Sequence, residues 1–147
     1  MDYIIQFLLA VIATFAVGIL FAAPQKELPF CGLAGAIAWI FYYLIHTKSG
    51  SVVTACLVAT FILTVFCRSM AVIRRNPATI YLLPGIFPLV PGAGIYYTVF
   101  YLISGEKSFF AAKGLETFEI AFAIVFGIIF GFAIPQGLFN KLSVHRS

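Results

Sequence analysis

Thirty residues from Asn76 to Gly105, NPATIYLLPGIFPLVPGAGIYYTVFYLISG, are apolar and long enough to cross a bilayer, yet Pro84, Pro88, Pro91, Gly85, Gly92 and Gly94 crowd their centre. Proline has no N–H and clashes with the carbonyl four residues back, so the carbonyls of Ile80, Pro84 and Phe87 are expected to lose their helical partners. In hydrocarbon a freed carbonyl costs several kcal/mol unless protein or a water-filled cavity satisfies it. The segment therefore predicts two half-helices that meet at Pro88-Leu89-Val90-Pro91-Gly92, the first running over roughly 78–86.

Proline suits the first position of a helix, so Pro91 is expected to start the second half and leave the N–H groups of Gly92, Ala93 and Gly94 free. Those donors sit at the positive end of the half-helix dipole, and glycine lets a carboxylate approach the backbone closely. The first half-helix turns carbonyls toward the same gap, which suits an ammonium, a proton or a sodium ion. The candidate substrate-binding residues are Pro88, Pro91, Gly92, Ala93 and Gly94, with Tyr96 one turn beyond Gly92 on the same face. A kinked packing helix is the competing reading, because neighbours repair many prolines in membrane helices.

Composition sets the class. The chain has 147 residues, 63% hydrophobic and 10% charged, with mean hydropathy +1.08, far from the roughly one-quarter charged residues of soluble domains. The expected fold is an all-α integral membrane protein, one transmembrane domain over 1–147. A barrel would show alternation over segments of about ten residues, and none is visible. The net charge of +4 comes from loops and the tail, so it sets orientation in the lipid bilayer and gives no reason to expect nucleic acid. Cys31, Cys56 and Cys67 fall in or beside apolar runs without CxxC spacing and read as small core residues. Asp2 and a long apolar run argue against a signal peptide at the N-terminus.

Five helices are expected, over about 3–22, 30–45, 52–67, 78–103 and 117–134, the fourth broken by the PLVPG segment. Thr14, Gly18 and Ala22 in the first, and Gly32, Gly35 and Ala38 in the second, form small-residue faces that let helices come close. Trp39, Tyr42, Tyr43 and His46 form an aromatic belt at the end of the second. In the third, Cys56, Thr60 and Thr64 recur every four residues as a weakly polar stripe that either lines a pathway or bonds back to its own helix. Arg68 follows as a residue able to snorkel to the interface. Ser104 to Glu116 reads as a polar loop with room for a short interfacial helix, and Glu116 and Glu119 favour the start of the fifth helix. Ala123, Gly127 and Gly131 there form a packing face that also suits a homo-oligomer. No carboxylate is expected well inside a span.

Five spans put the termini on opposite sides. With the N-terminus outside, the inner segments carry Lys26, Arg68, Arg74, Arg75, Lys141 and Arg146 against Lys48, Lys107 and Lys113 outside. Six against three predicts a plasma-membrane protein with the N-terminus out and the C-terminus in. At ~1.5 Å per residue the break then lies about 17–22 Å from Pro77, near or just past the midplane of a ~30 Å core.

At Pro88-Leu89-Val90-Pro91-Gly92, with Tyr96 after it and Pro77 before it, the sequence resembles the threonine/serine exporter family, in its small, YjjB-like subunit. Length and the five-helix layout match as well, so the resemblance covers essentially the whole chain. It implies export of small carboxylate-bearing substrates, either threonine and serine or dicarboxylates such as succinate. It also implies a larger partner subunit with a cytoplasmic domain and further helices, of which this chain holds no counterpart.

The residues favour a subunit of a secondary exporter. An enzyme is disfavoured, since no His/Glu metal spacing and no nucleophile–base pair is present, and neither a metal nor another cofactor is expected. A structural subunit whose break serves assembly is the alternative.

Overall fold

The structure is a computed structural model that describes residues 2–140. It is all-helical among the described residues: α1 Asp2–Leu20, α2 Leu28–Ser49, α3 Val52–Arg74, α4 Thr79–Ile86, a 3-10 turn Phe87–Leu89, α5 Gly92–Ile103, α6 Lys107–Ala133 and α7 Gln136–Asn140. Four of these, α1, α2, α3 and α6, are long and apolar enough to cross a membrane. The pair Thr79–Leu89 and Gly92–Ile103 qualifies together as one span bent by 55°.

Local chemistry sets most boundaries. Pro29 sits in the first turn of α2, and Gly50 ends it in the left-handed region at φ 68°. Ser51 then caps α3 by accepting from the Thr54 N–H, and Ile134 turns extended ahead of Pro135 to close α6. Several expected boundaries are corrected. α1 stops at Leu20, so Ala22, at φ 54°, lies off the small-residue face of that helix, and α2 runs over Leu28–Ser49. α3 continues two turns past Cys67 to Arg74, since nothing in RSMAVIR breaks a helix. The expected loop 104–116 is instead largely the first third of α6, because FFAAKGLE contains good helix formers and only one glycine. Glu116 and Glu119 therefore lie inside α6 and not at its start. At ~1.5 Å per residue α6 is ~40 Å long, about 10 Å more than a hydrocarbon core.

Close packing runs along small residues. α1 meets α2 where Val11 O lies 3.1 Å from the position a Cβ on Gly32 would take, and a Cβ on Gly35 would collide with the Thr14 hydroxyl. α3 meets α6 where a Cβ on Gly127 would strike Thr60 and sit 2.6 Å from Leu57 O, and one on Gly131 would sit 2.5 Å from Thr64 Cβ. The small face of α6 is thus filled by α3 within the chain, which withdraws it as a surface for a second copy. α4 enters this bundle at Gly85, against Leu63 and Ala34. α5 packs on α6 and has no buried residue.

The end of the bundle that holds the α1–α2 and α3–α4 connections is fastened by side chains. Glu27, 5% exposed, takes both Nη2 (2.8 Å) and Nε (3.1 Å) of Arg74 and accepts a 2.6 Å hydrogen bond from Tyr81 Oη. Arg74 also lies over the Phe30 ring at 4.7 Å. The Arg74 hydrogen bonds hold the Glu27 carboxyl below the usual carboxylate range, with Tyr81 adding to the effect against the opposing cost of burial. Glu27 is thus a buried carboxylate in the α1–α2 connection, just outside the spans. Arg68 does not snorkel. It is 6% exposed and donates into the C-terminal end of α6. Without Arg68 the interfacial charges stand at five against three, of which Lys141 and Arg146 lie outside the described residues.

Candidate functional site

The break forms as the prolines require, with different repairs at each carbonyl. Pro84 lies inside α4, and the carbonyl it frees, Ile80 O, accepts from the Cys31 thiol at 3.3 Å. The Pro84 carbonyl takes the Phe87 N–H, and Phe87 O takes the Val90 N–H at 3.3 Å. All three carbonyls expected to be free are therefore occupied, which removes the cation-binding half of the expected site. Cys31 has a structural task that composition alone did not reveal.

On the other side of the break, Pro91 is the cap of α5 and not its first residue. Its φ of −76° and ψ of 58° make an inverse γ-turn, in which the Gly92 N–H donates to Val90 O at 2.8 Å. Ile95 N–H bonds Pro91 O at 3.0 Å. The Ala93 and Gly94 N–H groups have no acceptor among the described residues. The expected trio of donors is thus a pair.

These groups border a cavity of about 270 Å³ enclosed by the break, the second half of α2, the start of α3 and the first half of α6. Pro88, Pro91, Ala93, Gly94 and Cys56 line it with Trp39, Tyr42, Lys113, Glu116 and Thr117. Lys113 Nζ and Glu116 Oε2 form a 2.8 Å ion pair, with side chains 34% and 50% exposed. The pair also borders a neighbouring cavity of about 300 Å³ with Tyr97 and Tyr101, so it stands at the mouth between the two. Gly94 lies tightly against Thr117, whose Oγ1 would sit 2.5 Å from a Cβ there. This contact locks the start of α5 to α6.

Across the 3-10 turn lies a separate cavity of about 250 Å³ beside α1, with Gln6, Thr14, Trp39 and Pro88 in its wall. The Trp39 indole N–H donates to Gln6 Oε1 at 2.8 Å, and the buried Thr14 hydroxyl has no partner among the described residues. Trp39 and Pro88 belong to both cavities and divide them.

Two expected site residues lie outside the cavity wall. A Cβ on Gly92 would meet nothing within 4 Å. Tyr96 is 64% exposed, stacked with Phe100 and edge-on to Tyr97 on the outer face of α5. Thr60 and Thr64 are fully buried and bond back to Cys56 O (2.6 Å) and Thr60 O (2.8 Å). Their stripe is the α3–α6 seam, and of its three residues Cys56 alone reaches the cavity. The residues that sequence reasoning missed are Lys113, Glu116 and Thr117. Their spacing at i, i+3 and i+4 would have placed them on one face had 104–116 been read as helix.

A family model described as Threonine/Serine exporter, ThrE, matches residues 6–134. The chain belongs to the threonine/serine exporter family. The match runs from Gln6 in α1 to the end of α6, including the break and the Lys113–Glu116 pair. Comparisons with curated proteins and with solved structures give no match.

Proposed function

We propose that this exporter-family chain binds small carboxylate-bearing metabolites, threonine and serine or dicarboxylates such as succinate, in the cavity at the break. The observation that carries the proposal is the convergence on one cavity of the free Ala93 and Gly94 N–H groups, at the positive end of the α5 dipole, with the Lys113 ammonium. A carboxylate placed there receives two backbone donors and a cation. Glu116, beside Lys113, offers an α-ammonium group its counter-charge, so the wall is complementary to a zwitterionic amino acid. Pro88, Pro91, Ala93 and Gly94 shape this site, while Gly92 and Tyr96 face away from it.

In this reading the chain acts with a larger subunit of the same family, in the plasma membrane, with its N-terminus outside. The exposed faces of α5 and α6 supply the contact area. Phe118, Phe122, Phe126 and Phe130 run along α6 as a ladder of rings 4.6–6.2 Å apart, each 45–61% exposed. The test is a transport assay of the two subunits, together and separately, against amino acids and dicarboxylates. Export that requires both chains supports the proposal. Full export by the larger subunit alone would leave this chain a structural role.

A further inference from the structure

Arg68 stands apart from the site at the break. It lies at the opposite end of the bundle, 6% exposed, and guanidinium stays protonated in proteins. Its Nη1 donates to Gly131 O (2.8 Å), Phe132 O (3.1 Å) and Ile134 O (2.7 Å), and its Nη2 to Gln136 Oε1 (2.9 Å). Every one of these acceptors is neutral. No carboxylate lies within ion-pairing distance among the described residues, and Nε makes no hydrogen bond there. A buried ion without a counter-ion is costly, and in membrane proteins such groups face cavities and mark binding sites.

A cavity is present. About 270 Å³ opens between α3, the α3–α4 connection and the end of α6, lined by Arg68, Asn76 and Gln136 with the apolar Val72, Ala78 and Phe132. Nη1 caps α6, Gln136 takes one Nη2 N–H and the Phe139 ring stacks on the guanidinium at 4.5 Å, which leaves the Nε–H and one Nη2 N–H of the fork without an acceptor among the described residues. The guanidinium fork matches the two oxygens of a carboxylate. The Asn76 amide gives one N–H to Tyr81 Oη at 3.4 Å and has a second to donate to the same group.

We propose that this cavity is an oxyanion station, in which Arg68 takes one carboxylate at the end of the bundle opposite the break. As a stopping point for cargo it rests on the export reading, while its affinity for carboxylate does not. A phosphate headgroup presents the same chemistry, so lipid composition must be part of the test.

The experiment uses the full chain in nanodiscs, with Val72→Cys as a reporter in the cavity wall and an anionic methanethiosulfonate as the label. In purely zwitterionic lipid, succinate and threonine should slow labelling of Val72→Cys. Adding Arg68→Gln should raise the half-protecting concentration by about tenfold or more, the equivalent of one charge-assisted hydrogen bond. Arg68→Lys, which keeps the charge and loses the fork, should fall between, and it carries the test if Arg68→Gln does not fold. Lys113→Gln should leave protection here unchanged, so the station and the site at the break can fail separately. Absence of protection by either probe, or protection indifferent to both Arg68 variants, would overturn the proposal. So would labelling that responds to anionic lipid and to neither carboxylate.

Discussion

Glu27→Gln removes the charge that ties the α1–α2 connection to the end of α3 and the start of α4. In the native chain the carboxylate takes two N–H donors from Arg74 at 2.8 and 3.1 Å and the Tyr81 hydroxyl at 2.6 Å. Breaking a fully buried pair costs about 3–5 kcal/mol, because the remaining charge is stranded. The Arg74 side chain is 33% exposed against 7% for Glu27, so water partly solvates the abandoned guanidinium and lowers the cost. We expect a coupling of about 2 kcal/mol between Glu27→Gln and Arg74→Gln in a double-mutant cycle, measured by reversible unfolding in mixed micelles. A pH series adds an independent check. The folded carboxyl titrates below its ordinary value, so its contribution is present above the unfolded pKa of about 4.3 and fades as pH falls through the folded value. The stability gap between wild type and Glu27→Gln should therefore be full at neutral pH and close in acid. A coupling under about 0.5 kcal/mol, or a gap that widens as pH falls, would refute the ion pair as the fastening of this end.

Gly127→Leu should destabilise the bundle by about 1–3 kcal/mol or more through overpacking, and Thr60→Ala should not rescue it, because the Leu57 carbonyl remains in the way; resistance to detergent denaturation reads both. Gly92→Val should leave assembly and apparent affinity unchanged, since its Cβ meets open space, whereas Gly94→Val should weaken transport by pushing α5 off Thr117. Equal effects of the two would remove α5 placement from the account. Glu116→Gln should weaken threonine and serine transport and spare succinate, as expected of a group that faces an ammonium; parallel losses for all three would show that it only positions Lys113. A reporter at Ser147 active only outside the cytoplasm should stay silent, and a strong signal would reverse the orientation.

The break was legible in the sequence because proline chemistry is local: α4 absorbs Pro84, but Pro88 and Pro91 three residues apart, with Gly92 next, remove two more N–H donors within one turn and end the helix. The small-residue faces of α1, α2 and α6 were legible because three- and four-residue spacing fixes a helix face, although Ala22 falls beyond the end of α1 and which neighbour fills each face is decided by tertiary packing. Three features were hidden. The Ile80 carbonyl is repaired by a thiol 49 residues away, and no local pattern announces such a partner. The continuation of α6 back to Lys107 was masked by the polar residues of 104–116, which are compatible with a helix that projects beyond the hydrocarbon core. Arg68 resembled an interfacial residue because its position near an expected helix end suited snorkelling, and only the real length of α3 carries it inside. The site shifted accordingly. Gly92 and Tyr96 share a face as the 3.6-residue period requires, but that face lies in the open, and the extension of α6 back to Lys107 supplies Lys113 to the cavity instead.

The most direct test of the carboxylate site at the break is the apparent affinity of Lys113→Gln in the chain reconstituted with its larger partner, with surface expression and subunit association measured alongside. Loss of one charge-assisted hydrogen bond, about 1.5–3 kcal/mol, predicts a roughly ten- to hundredfold weaker apparent affinity for threonine or succinate, with recovery in Lys113→Arg. Unchanged affinity in a correctly assembled Lys113→Gln complex would contradict the account and place the substrate elsewhere.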